Sequence, residues 1–121
     1  MTRAEVKARV LRHITENGGV SYAELENVFA SCGFDYTGEL SSYSDKHDRV
    51  VFWYGWNLEA FTLIGELIKE NKIERDPCHS IFYLIYGKAL NMPVLQSMSD
   101  LRRSKRAYWL PCVFNTTRNK A

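Results

Sequence analysis

Apolar residues recur at helical spacing in three stretches of the chain, separated by runs of branched and aromatic residues that suit strands. Between Arg3 and Glu16 the stripe is Val6, Val10, Leu11 and Ile14, and Gly18-Gly19 stops the helix. Val20 reads as one residue of short strand. Ser21-x-x-Glu24 has the form of a capping box and opens a second helix that buries Leu25, Val28 and Phe29 and closes near Cys32-Gly33. The strongest helix starts at Asn57, a good N-cap, with Glu59 in the first turn, where the helix dipole favours a carboxylate. Leu58, Phe61, Ile64, Leu67 and Ile68 line one face, Leu63 broadens it, and Asn71 suits the left-handed conformation that closes a helix.

Two segments read as strands around that helix. Arg49 to Tyr54 is branched and aromatic and leads through Gly55-Trp56 into Asn57. Ile73 to Arg75 is a short strand, Asp76 to His79 a turn, and Ser80 to Tyr86 a second strand apolar on both faces, so that each face needs cover. The stretch from Asn57 to Tyr86 therefore organises the chain. Asp35 to Asp48 is polar, holds Gly38 and several serines, and reads as a loop anchored by Tyr36 and Tyr43. Leu90 to Leu101 is a weak connecting element that Pro93 starts or interrupts.

The order helix, short strand, helix, strand, helix, strand, turn, strand resembles a winged-helix domain. The resemblance rests on Ser21-Tyr-Ala-Glu24 opening the second helix and on Leu67-Ile68-Lys-Glu-Asn-Lys-Ile73 leading into a hairpin from Ile73 to Tyr86. It implies an α+β, winged-helix-like fold of three helices with a small antiparallel sheet. Residues 1–87 form the domain, with an insert over 34–56, and residues 88–121 a basic C-terminal extension packed on the body rather than a second domain. In this family the third helix usually lies in the DNA major groove and the wing touches backbone or minor groove, so the resemblance implies a nucleic-acid role. Here the third helix carries Glu59, Glu66 and Glu70, which moves the expected phosphate contacts elsewhere.

Charge shows where. Residues 1–87 hold nine Lys or Arg against thirteen Asp or Glu, whereas residues 88–121 hold seven against one, within a net charge of +2. The expected phosphate contacts are the basic face of the first helix, Arg3, Lys7, Arg9 and Arg12, and the tail cluster Arg102, Arg103, Lys105 and Arg106. Tyr108 to Phe114 then has two readings, an extended segment packed on the body with Pro111 at a sheet edge, or aromatics that stack on bases.

A chain of 121 residues, 45% hydrophobic and 13% aromatic, fits one domain with a real core. No apolar run has the length of a membrane span and the first residues carry no apolar signal region, so a cytoplasmic protein with no membrane partner is expected. Cys32, Cys78 and Cys112 lack metal or disulfide spacing and read as small buried residues. Cys78-His79 is a turn pair without a supporting acid, His13 and His47 are isolated, and Asp45 and Asp48 match no known cation loop. No catalytic residue, metal site or cofactor is expected, and the reading is of a non-enzyme.

The alternative to DNA or another nucleic acid is a protein partner. An adaptor or inhibitor would use Trp53 and Trp56 as an aromatic corner beside the acidic Glu59, Glu66 and Glu70. No long apolar helix is left over for pairing, so a monomer or weak homodimer is expected.

Overall fold

Each of the three long helices begins on capping chemistry written in its sequence. In a computed structural model, which describes residues 1–117, α1 (Arg3–Asn17) starts at Thr2, whose hydroxyl accepts from the Glu5 N–H while the Glu5 carboxylate accepts from the Thr2 N–H. After β1 (Val20–Ser21), α2 (Tyr22–Ser31) starts with the Ser21 hydroxyl accepting from the Glu24 N–H at 3.0 Å. The Glu24 carboxylate does not complete that box. It reaches instead to His13 Nε2 at 2.5 Å, so His13 is not the isolated surface residue expected.

Two strands follow, β2 (Thr37–Tyr43) and β3 (Val50–Trp56), and then α3 (Leu58–Lys69), where Asn57 Oδ1 accepts from the Ala60 N–H at 2.8 Å. Asn71 takes φ 61° just past the helix end, as expected of a closing residue. The buried face of α3 is Ala60, Leu63, Ile64 and Leu67. Leu58, expected in that stripe, is exposed, because at the first helical position it precedes the turn that meets the core.

Among the described residues the fold is mixed α+β, with five helices and two three-stranded sheets rather than three helices and one sheet. After β4 (Ile73–Pro77) come two short helices, α4 (Ile81–Leu84) and α5 (Ser99–Arg103), then β5 (Tyr108–Trp109) and β6 (Cys112–Thr116). One sheet has the order β1-β6-β4, with β6 antiparallel to both neighbours. The other has the order β2-β3-β5 and joins β3 to β5 in parallel.

Two expectations are corrected here. The segment 80–86 is not a strand. Tyr83 alone in α4 is buried, its hydroxyl donating to the Cys112 carbonyl at 2.5 Å and accepting from the Tyr22 N–H at 3.1 Å, and this anchor selects a helical turn. The strand that returns against β4 is β6, with Pro77 opposite Cys112 and Ile73 opposite Thr116. The polar segment 35–48 is not a plain loop either. Thr37–Tyr43 forms a largely exposed edge strand held by backbone pairing with β3, and Gly38 fits there because a Cβ would stand 2.7 Å from the Asn57 backbone.

The core is aromatic. Tyr22 stacks on Trp53 and meets Trp56 and Phe114 edge-on, while Tyr83 packs against Trp53 and Trp109. Glu26 is buried among them. Its Oε2 accepts from the indole N–H groups of Trp53 (3.1 Å) and Trp56 (2.9 Å), and its Oε1 from Lys88 Nζ at 2.5 Å.

Candidate nucleic-acid interface

The expected basic face of α1 is half consumed inside the molecule. Arg3 donates to Glu59 at 2.8 Å and to both carboxylate oxygens of Glu66, at 3.0 and 2.7 Å, and Lys7 donates to Glu66 at 3.0 Å and Glu70 at 2.6 Å. Hydrogen bonds from Arg3, then from Lys7, hold the Glu66 carboxyl down at about 2. Cations expected to meet phosphate and acids expected to meet a partner thus brace α1 against α3. Arg9 and Arg12 remain exposed, Arg12 lying 3.6 Å from Glu16.

Trp53 and Trp56 are corrected more sharply. Only 3% and 0% of their surface is exposed, and both indoles turn inward to Glu26, so they form no corner for a partner. The neighbour between them that faces solvent is Tyr54.

The tail cluster is the expected site that stays open, and it is held by Arg49, a residue that carries no local signal of the role. Arg49, the residue before β3, donates through one terminal nitrogen to the Ser104 carbonyl and, at 3.3 Å, to the Arg106 carbonyl, and through the other to the Leu101 carbonyl at 2.5 Å. A guanidinium has its donors in a fixed fork, so three carbonyls on one fork fix the backbone between them. The far end is pinned by the Tyr108 N–H to Arg49 carbonyl bond at 2.8 Å, where β5 joins β3. The near end is pinned by Asp100, whose Oδ2 accepts from the Gln96 and Ser97 N–H groups at 2.9 and 3.2 Å. Those two bonds hold its carboxyl below the usual range.

With the backbone of 101–106 held and Leu101 turned into the core, Arg102, Arg103, Lys105 and Arg106 all project into solvent. Arg103 pairs with Asp100 at 2.8 Å. Among the described residues no carboxylate lies within 4 Å of Arg102, Lys105 or Arg106. The aromatic segment beside the cluster resolves to packing. Trp109, Cys112, Val113 and Phe114 are buried, leaving Tyr108 half-exposed.

Burial pushes the Cys78 thiol up to about 11, and His79 Nδ1 accepts from the Ile81 N–H at 3.1 Å rather than from the Cys78 thiol. Among the described residues no group of three or more His, Cys, Asp and Glu is placed to hold a metal ion, and no helix is long and apolar enough to cross a membrane. A feature absent from the sequence reading is the apolar surface of Ile81, Phe82, Leu84, Ile85 and Tyr86, between 38% and 71% exposed. Both faces of that run were expected to be covered.

Comparison of the chain with protein-family models, with curated proteins and with solved structures gives no match.

Proposed function

We propose that this is a small, non-catalytic winged-helix-type protein of the cytoplasm that binds nucleic acid, contacting phosphates through Arg102, Arg103, Lys105 and Arg106. The order α1, β1, α2, α3, β4 followed by a returning antiparallel strand supports the scaffold, with the β2–β3 pair inserted between α2 and α3. In that reading the wing is the long connection 78–111 rather than a tight turn, and residues 88–117 complete the sheet instead of extending it; residues 118–121 of the expected extension lie outside the described residues. The basic cluster then sits in the element that this class of domain lays against the nucleic-acid backbone. The observation that carries the reading is the Arg49 fork. Four adjacent cations, two at the end of α5 and two in the loop after it, repel one another, and here three backbone carbonyls across the segment are fixed so that the cations are presented together.

The test is binding of the intact protein to random-sequence duplex and single-stranded DNA, beside the variant R102A/R103A/K105A/R106A. All four side chains are exposed, so the fold should be unaffected, and affinity at low salt should fall by about tenfold or more. Equal affinity in the variant contradicts the assignment.

A second reading has its own observation. Five large apolar side chains exposed side by side on α4 and its end mark an interaction surface in many proteins. The protein-partner alternative therefore moves from the buried tryptophans to Ile81–Tyr86. The double substitution F82S/I85S should abolish self-association or partner capture without lowering stability; association that persists in it contradicts this reading.

A further inference from the structure

We propose that the groove between the tip of the β2–β3 hairpin and the side of α3 is a second anion site, built for a phosphate group attached to a flat or apolar body. The groove has a volume of about 430 Å³, within the range of small-molecule sites. Lys46 from the hairpin tip, Lys69 from α3 and Arg75 from β4 line it, against one carboxylate, Asp45. Lys46 stands more than twenty residues before Lys69 and Arg75, which lie on the consecutive elements α3 and β4, and the fold brings all three together here.

Arg75 sets the chemistry. Its guanidinium lies 4.2 Å over the Phe52 ring, and its Nε donates to the Tyr22 hydroxyl at 3.2 Å, which orients the group and, among the described residues, leaves both terminal nitrogens without a hydrogen-bond partner. Among the described residues no carboxylate lies within 4 Å of Arg75, Lys46 or Lys69. A half-buried guanidinium fixed by an aromatic ring and a hydroxyl, with two free ammonium groups at its side, matches the charge and fork geometry of a phosphate. Phe52 and Ile68 supply the apolar wall.

Gly65 is a separate observation pointing the same way. It stands inside α3, where glycine is the poorest residue after proline, yet a Cβ at that position would meet nothing within 4 Å. Packing therefore does not require it. A helix–helix or helix–sheet contact would explain a glycine by close approach, and here its effect is to keep the groove wall low.

The site uses none of the four loop cations, so it stands or falls apart from the loop. The same phosphate chemistry comes either from a free nucleotide or from the backbone of a nucleic acid. Inorganic phosphate, adenosine monophosphate and single-stranded DNA are titrated into the intact protein and followed by amide chemical shifts of residues 42–46, 65–69 and 75. The variants are Gly65→Met, which fills the groove at a position with helical backbone and open space, and Lys69→Gln.

Binding of the mononucleotide that moves these amides and weakens about tenfold in Gly65→Met, with the unfolding midpoint unchanged or raised, supports the site and the free-nucleotide source. Binding of DNA alone, weakened in Gly65→Met on the background of the four-alanine loop variant, supports the site and the backbone source. No shift with any probe at millimolar concentration, or equal affinities in wild type and Gly65→Met, overturns it.

Discussion

A chain ended after Gly87 is expected not to fold. β6 is the middle strand of the first sheet, so its removal leaves β1 and β4 with no partner between them. The same cut removes Trp109 and Phe114 from the aromatic core, together with Cys112 and Val113. Truncating a buried Phe or Trp costs about 3–5 kcal/mol each, and two such losses already approach the roughly 5–15 kcal/mol that holds a domain of this size together. Tyr83 loses the carbonyl its hydroxyl donates to, and α4 loses its anchor. Amide spectra of the truncated protein should show collapsed dispersion and urea should give no cooperative transition. A folded 1–87 fragment would contradict the placement of β6 and return the C-terminal third to the status of an appendage.

Replacing Glu26 by alanine is expected to cost about 3–5 kcal/mol, the largest effect of any single polar substitution in the protein. Both indole N–H groups of Trp53 and Trp56 end on the same oxygen, and in alanine both are left buried without an acceptor. Glutamine separates hydrogen bonding from charge. Its carbonyl oxygen can keep both indoles, while Lys88, which bonds the other oxygen and is partly exposed, turns to water. Glu26→Gln should therefore lose only about 1 kcal/mol by urea denaturation. Equal losses in the two variants would mean that the ion pair with Lys88, and not the indole acceptor, carries the stabilisation.

Which parts of this were legible in the sequence follows from the range of each interaction. Caps and apolar stripes act within a few residues: the stripe Val6, Val10, Leu11 and Ile14 marks α1, and Ser21, Asn57 and Asn71 mark α2 and α3, whereas the Thr2–Glu5 capping box was not expected. β3 is legible because its run of branched and aromatic residues suits a strand, and most of it is buried. β2 is not, because an exposed edge strand is held by backbone pairing and shows no apolar alternation. The run 80–86 misleads because a short apolar stretch has no decisive period, and its true sheet partner position is taken by residues some thirty positions later.

The same logic sorts the candidate site. Net charge points to 102–106 correctly as an exposed cluster, since solvated cations need no partner to be recognised. It points wrongly to Arg3 and Lys7, whose acids lie on another helix, at Glu59, Glu66 and Glu70. Nothing local marks Arg49, whose role is defined by carbonyls more than fifty residues away, or Glu26, a carboxylate drawn into the core by two distant indoles. Trp53 and Trp56 match in type the aromatics of exposed binding corners, and burial, which depends on distant elements, turns them inward.

The most direct measurement is the salt dependence of DNA binding by the intact protein and by R102A/R103A/K105A/R106A. Each phosphate neutralised on duplex DNA contributes about 0.9 to the slope of log affinity against log salt. With Arg103 partly committed to Asp100, the wild-type slope should be steeper than the variant's by about three. No binding by the wild type at low salt, or parallel slopes for the two proteins, would contradict a phosphate-contacting loop and leave the apolar surface at Ile81–Tyr86 as the site of function.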